Sequence, residues 1–221
     1  MFIGHYAPAL AIKAVRKSPG LAAGFLAVQL VDIGFFTLTY FDIEKWRPNP
    51  SLPGMRKIDL YYMPYTHSLP GALVWAAAAG VIAVALSPAG RKALAGLIIA
   101  ALVFSHWLLD LVVHRPDLAL VDDHDKVGFG LWNFPEIAMP LEVGLLLIGF
   151  AIYLSASKPR GLVGRVSPFV VLLVLFAIQY IDWFMPVSSD RLQFTVLALL
   201  SYFGIAALGY WLDRTREPRA G

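Results

Sequence analysis

Runs of roughly 20 apolar residues, each closed by a polar or basic stretch, recur along this chain, and that is the length an α-helix needs to cross the hydrocarbon core of a bilayer. They predict spans at about 20–41, 69–87, 92–114, 136–156, 166–185 and 191–212. Residues 2–15 form a shorter apolar segment, read as another helix, and Ser18-Pro19-Gly20 makes a tight break before the first full span. The expected fold is all-α: a polytopic transmembrane helix bundle of six full spans plus a short N-terminal helix, in one integral membrane domain over residues 1–221.

Composition supports this reading. Of 221 residues, 58% are hydrophobic and 15% are charged, whereas a soluble domain carries about a quarter charged residues. The absence of cysteine excludes a disulfide framework, thiolate-bound zinc and a Cys nucleophile. The net charge of +3 is the mark of basic loops that orient a membrane protein, so membrane lipids are the expected partners and nucleic acid is not. Residues 1–12 are apolar but their basic cluster follows them, the reverse of a cleavable signal peptide.

Charge also orients the bundle. Eleven of the 18 basic residues lie at one set of helix ends: Lys13, Arg16, Lys17, Arg91, Lys92, Lys158, Arg160, Arg165, Arg214, Arg216 and Arg219. Only Asp213 and Glu217 accompany them as acids. Positive ends stay cytoplasmic. The C-terminus is therefore expected inside, and the mixed loop 42–68 and the acidic loop 115–135 outside. Trp46 to Gly54 is proline-rich and expected to be irregular, while Tyr61, Tyr62 and Tyr65 suit an interface belt. Asp122-Asp123-His124-Asp125 reads as a solvated loop, with a cation-binding lid as the alternative.

Ionisable residues within spans are costly and mark function by default. Asp32, His106, Asp110, Glu142 and Asp182 fall inside spans, His5 in the short helix, and His67 and His114 at span ends. Counted from the basic ends, His5 and Asp32 are each 13 residues in, His106 is 15, Glu142 is 16, Asp182 is 17 and Asp110 is 19. His67 is 20 residues from Ser87. These residues fall in one slab, roughly 20–30 Å from the inner edge. Independent decorations of helix ends would not gather in this way. His106, Asp110 and His114 follow an i, i+4, i+8 spacing on one helical stripe. His and carboxylate are the ligands of zinc and similar ions when thiolates are absent. Plainer readings compete: a structural hydrogen-bonded pair for His106 and Asp110, an interfacial His for His67, a membrane-edge His for His114 and an interface residue for Asp182, whereas Glu142 has no reason to be buried except function or a partner. Trp107 and Trp132 read as lipid or packing contacts.

Gly4-His5-Tyr6, Tyr65-Thr66-His67-Ser68, Ser105-His106-Trp107-Leu108-Leu109-Asp110, and Gly130-Leu131-Trp132-Asn133 followed by Glu142 resemble a bacterial family described as predicted membrane-bound metal-dependent hydrolases. The resemblance covers most of residues 1–145 and implies a metal site, hydrolysis and a bacterial inner membrane. A more distant likeness is to zinc-dependent phospholipase C, an all-helical fold with a His–x–x–x–Asp helix. It carries over to His106 and Asp110, with His5, Asp32 and His67 as looser analogues. The chain lacks that family's second His–x–x–x–Glu helix and so falls short of its three-metal site.

The expected ligands of one or two divalent ions, zinc first, are thus His5, Asp32, His67, His106 and Asp110, with Glu142 as general base or outer carboxylate. The expected activity is hydrolysis of a lipid or phosphoester-type substrate at the outer-leaflet side. A cation or proton transporter and a metal-stabilised scaffold are the alternatives. The nearly apolar inner half of the spans and the lack of paired, interrupted helices argue against transport.

Overall fold

The long apolar runs are helices. In the computed structural model, which describes residues 1–219, five are long and apolar enough to cross a bilayer. They are α4 (Leu69–Leu86), α5 (Lys92–Val113) with the 3-10 turn Ala89–Arg91 ahead of it, α6 (Pro135–Ala156), α7 (Gly161–Phe184) and α8 (Arg191–Thr215). The remaining span is broken. α2 (Leu21–Val28) and α3 (Leu30–Tyr40) meet at Gln29 with a bend of 54°, so the bundle has six spans if this pair counts as one. The N-terminal segment is a 3-10 turn at Ile3–His5, α1 (Tyr6–Ala11) and a second 3-10 turn at Ile12–Ala14. The protein is an all-α membrane helix bundle.

Helix starts follow local chemistry. Ser68 caps α4, its Oγ accepting the Gly71 amide at 3.0 Å, with Pro70 in the first turn. Asp190 caps α8 through the Gln193 amide at 3.1 Å. Most side chains of α4 face outward: only 17% of its apolar window is buried, against 50% for α5. The exposed Leu73, Val74, Val81 and Ile82 make a surface that suits lipid. α5 is the central helix, and it carries His106 and Asp110.

Small residues set the close packing. A Cβ on Gly80 would lie 3.1 Å from the Gly96 carbonyl oxygen, so α4 and α5 approach backbone to backbone. Gly149 does the same for α6 and α1, where a Cβ would lie 2.6 Å from the Ala7 carbonyl oxygen.

The loops 42–68 and 115–135 are more regular than their composition implies. β1 (Lys45–Pro48) pairs antiparallel with β2 (Ile58–Tyr62), with a register irregularity between Lys45 and Arg47. The first part of the proline-rich stretch is therefore a strand rather than irregular chain. Pro48 is tolerated at its end, where it interrupts no ladder. β3 (Leu118–Val121) and β4 (His124–Val127) form a second hairpin turning at Asp122 and Asp123. The acidic cluster is this turn, and Asp123 pairs with Lys126 at 2.8 Å. At the opposite end, β5 (Ser157–Pro159) pairs with β6 (Arg216–Pro218).

Candidate metal centre

Four imidazoles and two carboxylates meet among α3, α5, the N-terminal segment and the residues flanking α4. His5, His67, His106, His114 and Asp110 are each at most 3% exposed. Asp32 stands in the first turn of α3, where the free amides of a helix start favour a carboxylate.

The helix break places more than Asp32. A continuous helix would use the Val28 carbonyl for its own ladder. Interrupted at Gln29, it leaves that oxygen to accept the Nδ1 proton of His106 at 2.7 Å. A carbonyl can only accept, so in neutral His106 the lone pair is on Nε2. His67 is fixed in the same sense. The Thr66 hydroxyl donates to Glu44 Oε2 at 2.6 Å and so accepts from His67 Nδ1 at 2.8 Å. Glu44 also accepts the amides of Tyr65 and Thr66 on its other oxygen, at 2.8 and 2.9 Å. Burial pushes the Glu44 carboxyl above its ordinary pKa, against the pull of these donors. His114 donates from Nδ1 to Asp117 Oδ1 at 2.7 Å. Three imidazoles thus have Nδ1 tied outward and Nε2 turned inward.

The inward nitrogens converge on the carboxylates. His106 Nε2 lies 3.0 Å from Asp110 Oδ2 and 3.5 Å from Asp32 Oδ1. His67 Nε2 lies 3.4 Å from Asp32 Oδ1 and 3.8 Å from Asp110 Oδ2. His114 Nε2 and His5 Nε2 lie 3.5 and 3.1 Å from Asp110 Oδ1. The His5 ring stacks on His106, centroids 3.8 Å apart. Despite its near oxygens, His106 Nε2 has no hydrogen-bond partner: with the proton on Nδ1, its lone pair faces carboxylate oxygens that can only accept. Buried polar atoms are rarely left so.

The spacing is compatible with a cation. Four ligands at 2.0–2.2 Å in tetrahedral geometry stand about 3.4 Å from one another. Most of the nitrogen–oxygen separations here are 3.0 to 3.5 Å. Two groups have ligand atoms mutually within 4.8 Å: His5, His106 and Asp110, and Asp32, His67 and His106. His106 belongs to both groups, and with Nδ1 tied to Val28 its single lone pair on Nε2 can serve one ion at a time, so the two groups are alternative positions as far as His106 is concerned. These buried His and Asp residues could hold a divalent metal ion.

All five residues singled out in the sequence as ligands therefore come together, and His114 joins them. Glu142 and Asp182 stand apart. Glu142 Oε2 accepts the Phe2 amide at 3.0 Å and holds the N-terminal segment, while the Met1 amino nitrogen lies 2.7 Å from Asp110 Oδ1. Asp182 pairs with Arg56 and accepts from Gln179 at 3.1 Å. Trp107 and Trp132 are buried rather than lipid-facing. Trp107 donates to the His67 carbonyl at 3.0 Å, and Trp132 lies 4.0 Å from His114, ring to ring.

Beside the cluster is a cavity of about 40 Å³, lined by Asp32, His67, Asp110 and His114 on its polar side. Phe35, Phe36, Ile58, Leu60, Met63 and Trp132 form apolar walls, and Met1, Arg56 and Tyr202 complete it. Tyr202 donates to Asp32 Oδ2 at 2.9 Å. Arg56 is an unforeseen member. Its backbone is left-handed, φ 59°, a conformation that costs a non-glycine residue about 1–3 kcal/mol. Arg115 holds that loop through the carbonyls of Pro53, Met55 and Arg56, and Met55 donates to the Trp132 carbonyl at 2.8 Å.

No family model, curated protein or solved structure matches this chain.

Proposed function

We propose that this protein is a membrane-embedded, metal-dependent hydrolase acting on a lipid or lipid-linked phosphoester. The carrying observation is the set of imidazoles with Nδ1 anchored and Nε2 turned onto buried Asp110 and partly buried Asp32 at ligand-to-ligand spacing. The residue 1–145 resemblance to membrane-bound metal-dependent hydrolases points the same way.

His5, His106 and Asp110 would hold an ion, with Asp32, His67 and His106 as an alternative position; a second ion would have to do without His106. Zinc is the expected metal, because nitrogen and carboxylate donors in tetrahedral spacing suit it. When bound, a divalent ion supplies Lewis acidity toward the scissile group and lowers the pKa of water beside it. The protein's own residues do the rest. Arg56, paired with Asp182 through one nitrogen, would offer its remaining N–H donors to an anionic phosphoryl group. Tyr202 holds Asp32 in place. The apolar walls keep bulk water from the reacting group. A cavity of about 40 Å³ admits the reacting group and not a whole lipid, so the body of the substrate stays in the bilayer.

The test is turnover of a panel of lipid phosphoesters by the purified protein. Chelation should abolish it and zinc or a similar ion should restore it. Glu142→Gln keeps the oxygen that accepts the Phe2 amide, so it should cost less than about tenfold. A loss of about 10²–10⁴-fold with metal retained would make Glu142 the general base instead. Ion flux in sealed vesicles without hydrolysis of any panel member would reject the enzyme reading in favour of a transporter.

A further inference from the structure

A second cavity, of about 220 Å³, lies at the far end of the bundle from the His/Asp cluster. It sits between the ends of α6 and α8, the N-terminal segment and the β5–β6 ribbon. Lys13, Tyr153, Arg160, Asp213, Arg216 and Glu217 are among its walls. Tyr153 is 11 residues past Glu142, about 16 Å further along α6. This site is separate from the metal centre and does not depend on it.

The charges around it do not cancel. Lys13 Nζ lies 3.2 Å from Asp213 Oδ1, and Asp213 Oδ2 accepts the Leu21 amide at 2.5 Å. Glu217 is held by Lys158 and Arg160, each at 3.1 Å. Arg216 is left without a carboxylate among the described residues. Its hydrogen bonds go to Ser157 Oγ, the Ser157 carbonyl and the Gly164 carbonyl, at 2.7–3.0 Å. All three acceptors are neutral, yet Arg216 is only 7% exposed. A buried guanidinium without a counter-ion is costly, and two of its five N–H donors remain unused.

Beside it, Tyr153 is 1% exposed and its hydroxyl makes no well-formed hydrogen bond, with Ser157 and Arg216 as its polar neighbours. The Arg216 guanidinium lies 5.6 Å from the Tyr153 ring. A buried cation with no carboxylate among the described residues and a poorly satisfied hydroxyl donor therefore line one cavity. An anion with several acceptor oxygens satisfies both. Charge-assisted bonds to phosphate are the strong form of such contacts, and the guanidinium fork matches phosphate geometry. The exposed apolar Leu162, Val163 and Val166 open α7 at the same end, next to the exposed Lys158 and Arg160. That is where a lipid headgroup would lie.

We propose that this cavity binds a phosphate group, with the phosphodiester of an anionic membrane lipid as its source. The full-length protein in phosphatidylcholine nanodiscs would be titrated with phosphatidylglycerol and, separately, with inorganic phosphate. Native mass spectrometry reads lipid retention and the thermal midpoint reads both ligands. Phosphatidylglycerol should be retained at least about tenfold better than phosphatidylcholine, and Arg216→Gln and Tyr153→Phe should each remove most of that preference. Arg216→Lys should keep part of it. Stabilisation by inorganic phosphate that the same variants abolish, without lipid preference, would keep the phosphate site and assign it to the free ion. Arg216→Gln can loosen the ribbon, so Tyr153→Phe, which deletes one hydroxyl, decides the matter if its midpoint in phosphatidylcholine equals wild type. Equal affinity for both lipids with no effect of inorganic phosphate, or a Tyr153→Phe protein that binds as wild type does, would overturn the proposal.

Discussion

His67 shows how much of the candidate metal centre is built by residues outside the proposed ligand set. Its ring is aimed by Thr66, and Thr66 is aimed by Glu44, which arrives from the loop after α3 and also fixes the two amides ahead of α4. Removing the hydroxyl strands two buried partners at once. Thr66→Val, close in shape, should lower metal affinity about 10–100-fold, the usual effect of losing an outer partner of a ligand. Thr66→Ser should retain most of it. Competition with a chromophoric chelator measures both. Equal affinity in Thr66→Val and wild type would show that the relay is not needed to orient His67. In the sequence, His67 was legible by its depth, but Glu44 and Arg56 were not. They lie in a loop whose course over the site depends on the β1–β2 hairpin and the Arg115 contacts, which leave no periodic signal. His114 lay on the legible His106–Asp110 stripe, but its place at the helix edge beside Arg115-Pro116 masked it.

At the scale of elements, hydropathy gave the spans because a bilayer demands a fixed length of apolar helix. It could not give the break at Gln29. No glycine or proline marks it, and the interruption is held by tertiary partners: the Gln29 amide group donates to the Phe2 carbonyl at 3.4 Å, and Val28 serves His106. The short strands were missed for a related reason, since their pairs are long-range and their lengths too small for alternation to show. The packing of α6 on α1 yields a test. Gly149→Ala would place a Cβ 2.6 Å from the Ala7 carbonyl oxygen and 2.7 Å from the Ala7 Cα, both rigid backbone. It should cost about 1–3 kcal/mol in stability and, by shifting the segment that carries His5, weaken metal retention. Gly144→Ala, with nothing within 4 Å, is the control on the same helix. Matching thermal midpoints for the two variants would mean that α1 yields freely and does not position His5.

For the whole molecule, the bundle separates two chemistries. The acidic and imidazole groups gather at the end capped by the two hairpins, and the basic surplus gathers at the end closed by the β5–β6 ribbon. By the Lys/Arg asymmetry, the basic end is proposed to be cytoplasmic and the metal centre to face the outer leaflet. A reporter active only in the cytoplasm should therefore give signal when fused after residue 221 and none when inserted near residue 123. The reverse pattern would invert the bundle and place the site in the inner leaflet. The central claim is the metal itself, and elemental analysis of the purified protein tests it most directly. Wild type should carry about one or two divalent ions per chain, zinc foremost. A His106→Ala/Asp110→Asn double variant, which keeps α5 helical and removes a ligand from both subsites, should carry almost none. Wild type purified from zinc-replete cells without a stoichiometric divalent ion, or a double variant with its metal content intact, would contradict the account.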